Sequence, residues 1–309
     1  MNLLVKIALK IISLPIFDMT RDYEIVRRFQ DWAAKNEELP PDFVLFDEKI
    51  ISSDGAHYIP VRVFTSLEEN HNGILLFFHG GGFVIGNVET YTLPCLQLVK
   101  QTGLFILSVD YRLAPEHPFP KGLDDCYEVL KFLVTDTSGR FRPLTVMGDS
   151  AGGNLAAVAC KRLLDQNLPL PDQQILIYPA VSGDYSESSP FPSMHEKAED
   201  FGLTRKKLME YYEMYVPEGM DNKSSEIAPL SASNLSGMPR TLIITAEHDP
   251  LRDEGEAYAE KLRSYGVDVT MKRILNVPHG FWTYERPFSD AINQLYESIS
   301  LFIKGKNDE

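Results

Sequence analysis

Short apolar runs recur along the chain, and each is stopped by glycine, aspartate or proline. Runs of this length, rich in β-branched and aromatic residues, are typical of strands buried on both faces of a parallel sheet. Two extended segments ahead of them, FDEKIISS (46–53) and HYIPVRVFT (57–65), predict an antiparallel pair at one edge of that sheet, and in the second segment polar residues alternate with apolar ones. The apolar runs are GILLFFH (73–79), LFILSVD (104–110), PLTVMG (143–148), QILIYP (174–179) and RTLIITA (240–246).

Helix-length segments separate the apolar runs. Strands and helices in alternation predict a doubly wound α/β fold, with a mostly parallel central sheet of about eight strands flanked by helices. The crossovers between its parallel strands are expected to be right-handed. The helical segments are TLPCLQLVKQT (92–102), GLDDCYEVLKFLVTD (122–136), GGNLAAVACKRLLDQ (152–166), EGEAYAEKLRSYG (254–266) and SDAINQLYESISLFIKG (289–305).

Residues 182–222 interrupt this alternation. The segment holds no strand-like run, begins rich in serine and proline, and contains one helical piece after Leu203. An insertion of this length between two strands is usually a lid or a cap, and otherwise a disordered loop. Its aromatic residues favour a packed cap; they are Tyr185, Phe191, Phe201, Tyr211, Tyr212 and Tyr215.

The first 17 residues, MNLLVKIALKIISLPIF, predict an amphipathic helix that ends at Pro15. Lys6 and Lys10 share one face of it. Such a helix is roughly 20 Å long, too short for a hydrocarbon core of ~30 Å, and no small-residue cleavage site of a secretory signal follows it. We predict a helix on the protein's own surface, with contact to a membrane surface as the alternative. The apolar face comprises Leu3, Leu4, Ile7, Ala8, Ile11 and Ile12.

The charge balance and the cysteines narrow the class of protein. In a chain of 309 residues, 30 basic residues against 44 acidic ones give a formal net charge of −14. This charge repels nucleic acid and anionic membranes, so we expect a small-molecule substrate and no stable membrane insertion. Cys95, Cys126 and Cys160 are far apart and form no CxxC pair. We therefore expect buried thiols in a reducing cytoplasm rather than disulfides.

One G-x-S-x-G motif occurs in the chain, at residues 148–152, between the apolar run PLTVM and the helical segment that follows. In this setting the motif is typical of a nucleophile elbow, in which a strained strand-to-helix turn exposes the serine hydroxyl. The helix N-terminus beneath Ser150 would favour developing negative charge. A glycine-rich turn with an incidental serine is the alternative, because short motifs have false positives.

A serine nucleophile needs a histidine base and an acid that orients the base, and a motif of this kind is followed first by the acid and then by the histidine. His279 comes directly after the strand-like VDVTMKRIL (267–275), and Asp249 ends the strand-like RTLIITAEHD (240–249). Both residues therefore lie at carboxyl ends of strands, where open α/β sheets build their sites. We predict Ser150, Asp249 and His279 as the catalytic residues.

Other downstream residues compete for these roles. His195 lies in the predicted cap. His248 is adjacent to Asp249 and points elsewhere when the aspartate faces the site, so we expect it to be structural. Glu247 and Asp253 stay open as rival acids, although each is less well placed than Asp249.

Three glycines follow the apolar run that ends at Phe78, within FFHGGGFVIG (77–86). This is the arrangement of an oxyanion loop, whose amides act together with the amide of the residue after the nucleophile, here Ala151. A dinucleotide fingerprint would need glycine in place of Ile85, and a phosphate loop would need lysine and then serine or threonine after Gly86. These two readings of the glycines are therefore excluded, and we expect neither a cofactor nor a metal.

Five motifs, in order, resemble those of the hormone-sensitive-lipase-like branch of the α/β-hydrolases, which includes bacterial acetyl esterases and carboxylesterases. The resemblance runs from about residue 40 to the C-terminus. It implies an α/β-hydrolase fold with a catalytic core at residues 41–181 and 223–309 and a helical cap at residues 1–40 and 182–222. The motifs are HGGGF (79–83), DYRLAPEHPFP (110–120), GDSAGGNLA (148–156), DPLRDEGEAYAEKL (249–262) and HGF (279–281).

The resemblance also implies roles for residues in these motifs. Ser150 resembles the family's nucleophile, His279 its base and Asp249 the acid that orients the base. Gly81, Gly82 and Ala151 resemble the amide donors of the oxyanion hole. With the residues that begin the loop, this hole is implied to comprise His79, Gly80, Gly81, Gly82 and Ala151.

Together these features predict a serine carboxylesterase that cleaves small esters through an acyl-enzyme on Ser150. The cap predicts an enclosed pocket with Phe83 and Phe281 as apolar walls, so we expect acyl chains of roughly two to eight carbons. An amidase or formamidase with the same triad and a non-catalytic ligand-binding scaffold stay open. A homodimer paired along VDVTMKRI (267–274) also stays open.

Three further charged residues lie within these motifs. Arg112 and Glu116 could bind a substrate carboxylate, because arginine clamps carboxylates. Charged residues are seldom buried without a partner, however, so we expect a buried ion pair that holds this proline-rich segment. We expect Asp149 to anchor the elbow rather than to act as a second acid.

Overall fold

A mostly parallel sheet forms the central layer of the fold. A computed structural model describes residues 1, 3–14, 16, 18–34, 41–67 and 73–305, apart from the side chains of residues 285 and 286. The sheet has eight strands within these residues, in the order β1-β2-β4-β3-β5-β6-β7-β8. The strands are β1 Phe43–Ile51, β2 Tyr58–Ser66, β3 Ile74–Phe78, β4 Phe105–Val109, β5 Leu144–Asp149, β6 Gln173–Ile177, β7 Arg240–His248 and β8 Val269–Pro278.

The parallel and antiparallel parts of the sheet correspond to the two kinds of strand pattern in the sequence. β2 is antiparallel to both β1 and β4, and the other neighbouring pairs are parallel. Every residue of β3, β5 and β6 is buried, because helices cover both faces of the middle of the sheet. The prediction of a mostly parallel sheet with an antiparallel pair at one edge is confirmed. β8 forms the other edge, and a homodimer paired along it stays a prediction.

Nine helices of four or more residues occur in the described part of the chain. α3 and α9 cover one face of the sheet, and α4, α5 and α8 cover the other, each with its own hydrophobic cluster. Cys95, Cys126 and Cys160 are buried, as predicted. The helices are α1 Leu3–Ser13, α2 Met19–Ala34, α3 Thr92–Thr102, α4 Lys121–Val134, α5 Ala151–Asp165, α6 Pro192–Glu196, α7 Arg205–Tyr215, α8 Arg252–Ser264 and α9 Glu285–Ile303.

Most helices match their predicted segments, but α2 and the short α6 were not predicted. Only Met19 and Asp22 of α2 are buried. Ile25, Phe29 and Trp32 recur at helical spacing but are more than half exposed, so the apolar stripe of this helix does not face the core. α9 begins at residue 285 rather than 289, with a non-helical backbone at Phe288 that explains the ambiguous start.

Helix α1 lies against the insertion through a few polar contacts. Gly202 N donates to Ser13 Oγ over 2.8 Å, and Lys207 Nζ donates to Ile12 O over 2.9 Å. The predicted surface position is therefore confirmed, but of the residues of α1 only Leu9 is buried, so most of the apolar face meets solvent. The predicted end at Pro15 lies outside the described residues. Among the described helices, none is long and apolar enough to cross a membrane.

The two segments predicted to form a cap, residues 1–40 and 182–222, are called the cap segments below; residues 35–40 lie outside the described part. α2 from the first segment packs against α7 from the second. Both helices contact residues that follow β3: Arg27 Nε donates to Val84 O over 2.7 Å, and Tyr215 stacks on Phe83. These contacts place α2 and α7 at the carboxyl edge of the sheet.

Candidate active site

Ser150 occupies the turn between β5 and α5, and this turn is strained. Its backbone has φ 53° and ψ −118°, which a non-glycine residue rarely adopts. The turn is also tightly packed: a Cβ atom on Gly148 would overlap the carbonyl of Gly152, and one on Gly152 would overlap the carbonyl oxygen of Phe78. Glycine is required at both positions because backbone atoms occupy the space of a side chain.

Ser150, His279 and Asp249 form one hydrogen-bonded chain. His279 Nε2 lies 2.8 Å from Ser150 Oγ, and His279 Nδ1 lies 2.7 Å from Asp249 Oδ2. Ionised Asp249 can only accept, so the proton of the neutral imidazole is on Nδ1 and Nε2 is left to accept from the serine hydroxyl. Asp249 is fully buried and also accepts from Leu251 N over 2.8 Å, which fixes its orientation.

The rival acids Asp253 and Glu247 form hydrogen bonds with residues other than His279. Asp253 Oδ2 accepts from Ser193 N over 2.7 Å, and Glu247 Oε2 accepts from Asn276 N over 2.7 Å. Asp253 thus binds the start of helix α6, and Glu247 binds the end of strand β8. Of the three candidate acids, Asp249 is the one hydrogen-bonded to His279 among the described residues.

The remaining downstream histidines also lie apart from Ser150. The ring of His248 stacks on Phe201 with centroids 4.7 Å apart, which agrees with the structural role predicted for it. His195 Nε2 lies 2.8 Å from Ser189 O inside the second cap segment.

Asp149 joins the elbow to the glycine loop, residues 79–87. Gly80 N donates to Asp149 Oδ1 over 2.8 Å, and Tyr91 OH donates to Asp149 Oδ2 over 3.0 Å. Burial raises the pKa of Asp149 to about 6, against the opposing effect of these hydrogen bonds. The carboxylate thus holds the loop at a fixed position beside Ser150, as expected of an anchor.

His79, the first residue of the same loop, ties it to Tyr111. Its ring is buried and stacks on Tyr111 with centroids 4.3 Å apart, and Tyr111 OH donates to His79 O over 2.7 Å. Burial lowers the pKa of His79 to about 4, so the imidazole is neutral near pH 7. Its Nδ1 lies 2.8 Å from Gly80 O and donates to it.

Three backbone amides near Ser150 are left without an acceptor. Gly81 N, Gly82 N and Ala151 N donate to no described residue. Gly81 has φ +122° and Gly82 has φ +61°, a backbone region that glycine enters without strain. The loop follows β3, and β3 pairs with β5, so these amides belong to neighbouring turns at one edge of the sheet. Unpaired donors in such a place can stabilise an oxyanion.

Tyr178 supports His279 and was missed by the sequence analysis. The residue follows β6, is fully buried, and has φ +35°. Its ring centroid lies 4.7 Å from that of His279, so the phenol packs against the imidazole. Nothing in the run QILIYP distinguishes this tyrosine from an ordinary core residue, because its contact depends on the loop after β8.

Glu254 is a third buried carboxylate near the site, after Asp249 and Asp149. Its Oε1 accepts from Val181 N over 2.7 Å and from Ser182 N over 3.1 Å, and its Oε2 accepts from Ser182 Oγ over 2.7 Å. Burial raises the pKa of Glu254 to about 7, and the nearby charge of Asp249 adds to this effect. The side chain holds the chain that follows β6 against α8.

Glu254→Gln should flatten the pH dependence of stability. The native state keeps a proton on Glu254 up to about pH 7, whereas the unfolded chain releases it near pH 4.5. The native state therefore binds more protons in this window, so the free energy of unfolding falls as pH rises from about 4.5 to 7, by up to about 3 kcal/mol. Glutamine does not titrate, yet its oxygen can accept from both amides and its nitrogen can donate to Ser182 Oγ.

Urea unfolding at about pH 5 and about pH 8 measures this effect. Wild-type protein should lose more stability than Glu254→Gln between the two conditions. Part of the loss should persist in the variant, because Asp149 titrates in the same direction with a pKa of about 6. Equal losses in the two proteins would contradict the assignment of the raised pKa to Glu254.

Arg112 and Glu116 make separate ion pairs. Arg112 Nη2 lies 2.7 Å from Asp125 Oδ1, and Arg27 Nη1 lies 2.8 Å from Glu116 Oε1. Both residues are in ion pairs, as expected, but they do not pair with each other, and the Glu116 side chain is 45% exposed, so its ion pair is not buried. The second ion pair joins α2 to the proline-rich segment, which the sequence analysis did not foresee.

Phe83 and Phe281 are core residues rather than open walls of a pocket. Phe83 is 2% exposed and stacks on Tyr215, and Phe281 is fully buried against Tyr178. The prediction that both rings line the acyl pocket is therefore wrong in this structure, because each is covered by an aromatic neighbour from another element.

Within the described residues, no group of three His, Cys, Asp or Glu side chains is arranged to hold a metal ion.

Comparisons with known proteins agree with this architecture. The family described as the alpha/beta hydrolase fold matches residues 75–283. Carboxylesterase NlhH of Mycobacterium tuberculosis is 35% identical over 252 residues, covering 79% of this chain and 77% of the relative. An arylesterase of Saccharolobus solfataricus is 32% identical, covering 84% and 83%.

A solved structure is similar over nearly the whole chain. The hyperthermophilic esterase of Pyrobaculum calidifontis has a TM-score of 0.85 and 33% sequence identity, and the match covers 98% of this chain and 99% of that one. Similarity in sequence and in fold thus spans the sheet, its helices and the site described above. The chain belongs to the alpha/beta hydrolase family, in the hormone-sensitive-lipase-like branch that its motifs resemble.

Proposed function

We propose that the protein is a serine carboxylesterase that hydrolyses short- to medium-chain carboxylic acid esters through an acyl-enzyme on Ser150. One observation carries the proposal: the hydroxyl of Ser150 is hydrogen-bonded to His279, whose other ring nitrogen is bound by buried Asp249. This is the arrangement that activates a serine for acyl transfer. The related carboxylesterase and arylesterase support the same reaction class.

The first half-reaction forms the acyl-enzyme. His279 Nε2 takes the hydroxyl proton of Ser150 as Oγ attacks the ester carbonyl, and the new imidazolium is stabilised by Asp249. The bond to the leaving alcohol then breaks while His279 returns the proton to the alcohol oxygen. In the second half-reaction His279 takes a proton from water as the water oxygen attacks the acyl carbon. The bond between the acyl carbon and Ser150 Oγ then breaks, His279 returns the proton to Oγ, and the carboxylic acid leaves.

Both half-reactions pass through a tetrahedral oxyanion. We assign its stabilisation to the amides of Gly81, Gly82 and Ala151, because these donors are unpaired near Ser150. Ala151 begins α5, so the positive end of the helix dipole adds to the effect. His79 and Gly80 belong to the same loop as its supports: one holds the backbone and the other donates to Asp149.

The substrate range depends on the cap segments. We assign residues 1–40 and 182–222 to the cap, and residues 41–181 and 223–309 to the catalytic core. An enclosed site favours small acyl groups, so the rate for p-nitrophenyl esters should be highest at roughly two to eight carbons and fall for longer chains. A rate that rises steadily to long chains at an oil interface would contradict this preference.

The same assay separates esterase from amidase activity. The purified protein is given p-nitrophenyl acetate and the matching p-nitroanilide, which share an acyl group and differ in the leaving atom. We expect kcat/KM for the ester to exceed that for the anilide by a large factor. Comparable values would make the protein an amidase, and no turnover of either would favour a ligand-binding scaffold.

A cytoplasmic location and a homodimer remain predictions.

A further inference from the structure

The glycine loop has an unusual backbone conformation, and its internal hydrogen bonds fix only part of that conformation. Gly81, Gly82, Phe83 and Gly86 all have positive φ, at +122°, +61°, +64° and +85°. Its inner side is closed by a turn, because Ile85 N donates to Gly81 O over 2.9 Å. No such internal bond fixes the Gly82 amide within the described residues. A glycine is the residue freest to rotate, so contacts from outside must fix the direction of this amide.

Helix α7 of the second cap segment supplies such contacts. A Cβ atom on Gly82 would lie 2.6 and 2.7 Å from Cδ2 and Cδ1 of Tyr211, so the tyrosine ring rests directly on the Gly82 backbone. One turn later, Tyr215 stacks face to face on Phe83, with ring centroids 3.7 Å apart and an interplanar angle of 5°. Residues four apart share one face of a helix, so a single face of α7 covers two successive loop residues.

α7 is itself anchored by hydrogen bonds to other elements. Met19 N, at the start of α2, donates to Glu210 Oε2 over 3.1 Å, and Phe119 N donates to Tyr215 O over 2.8 Å. The helix cannot shift easily along the loop, because one anchor comes from the other cap segment and the other from the core. α2 adds its own support where Gln30 Oε1 accepts from Gly86 N over 3.2 Å.

We propose that α7 holds the oxyanion hole in its working geometry and that Tyr211 is a positioning residue for the Gly82 amide. The inference rests on the proposed esterase function and deepens it, since it gives the cap a part in the chemical step besides enclosing the substrate. Donors stabilise an oxyanion only when they are already oriented toward it, so loosening Gly82 should weaken transition-state binding more than substrate binding.

The test compares Tyr211→Phe, Tyr211→Ala and Met209→Ala. The Phe variant keeps the ring on Gly82, and Met209 is a half-exposed residue of the same helix that serves as the control. We expect Tyr211→Ala to lower kcat for p-nitrophenyl acetate by about 10-fold or more, with KM within about threefold, because a displaced donor loses part of the 10²–10³ that a deleted donor costs. The Phe and Met209 variants should match wild type.

A second readout is the affinity for benzeneboronic acid, which forms a tetrahedral adduct with an active-site serine. Its Ki should rise in Tyr211→Ala by about the same factor as kcat falls. If the Ala variant does not fold, Tyr211→Leu, which removes the ring but keeps an apolar side chain, takes its place with the same expectation.

Two results would overturn the proposal. One is a variant without the ring that raises KM while kcat and the boronate Ki stay unchanged, which would make Tyr211 only a wall of the pocket. The other is an equal loss in Tyr211→Phe, which would assign the effect to the hydroxyl. The proposed function fails separately, if wild-type protein neither hydrolyses the ester nor binds the boronate.

Discussion

Ser150→Ala should lower kcat for p-nitrophenyl acetate by at least about 10⁴-fold. The substitution removes the oxygen that is hydrogen-bonded to His279 Nε2, so no acyl-enzyme can form. The unpaired amides remain in place, and they leave only the residual rate that binding and oxyanion stabilisation provide. Alanine fits the turn as well as serine does, so the free energy of unfolding should change little.

Covalent labelling gives an independent measurement of the same residue. A fluorophosphonate probe should modify wild-type protein at Ser150, as read by mass spectrometry of the peptides, and should leave Ser150→Ala unlabelled. Ser188→Ala is the matched control, because that serine is exposed in the second cap segment. Retention of most activity in Ser150→Ala, or labelling at another serine, would refute the assignment of the nucleophile.

Asp249→Asn should lower kcat by roughly 10⁴-fold through the tautomer of His279. The new side-chain amide would keep its oxygen on Leu251 N, because that bond needs an acceptor, and would therefore turn its NH₂ group toward His279 Nδ1. The imidazole must then accept at Nδ1 and carry its proton on Nε2. A protonated Nε2 cannot take the proton of Ser150, so the base is lost while the fold is kept.

Asp253→Asn tests the specificity of this effect. Its carboxylate accepts from Ser193 N rather than from His279, so kcat should stay within about threefold of wild type. The pH–rate profiles of the variants complete the test: the profile of Asp249→Asn should change shape, and that of Asp253→Asn should follow wild type. Equal losses of kcat in the two variants would show that Asp249 has no special role.

The strands and the chemistry-bearing residues could be predicted from local patterns. Apolar runs such as GILLFFH are typical of strands in the middle of a sheet that is covered on both faces. β3 is such a strand, and all of its residues are buried. Ser150 and Asp249 follow such runs, His279 follows the edge strand β8, and parallel strands bring their carboxyl ends to one edge of the sheet. Their meeting therefore follows from topology.

The supporting contacts could not be predicted in this way. Helix α2 is joined to the loop by Arg27 and Gln30, whose polar character also suits an exposed helix. Tyr178, Tyr211 and Phe83 are ordinary aromatic residues in the sequence, and the rings assigned to the pocket proved to be packed in the core. An aromatic side chain packs well against many partners, so its type does not say which partner it meets.

The sequence by itself determined the class of fold and the identities of a nucleophile, a base and an acid, because these depend on local periodicity, on glycines that a tight turn requires, and on chain order. Only the tertiary structure decided the hydrogen bonds of His279, 2.8 Å to Ser150 Oγ and 2.7 Å to Asp249 Oδ2, and the tautomer that they impose. It also decided the packing of the Tyr211 ring against the Gly82 backbone. These contacts join segments as much as 129 residues apart in the chain. The packing of a whole domain sets such distances, and no pattern within one segment encodes them.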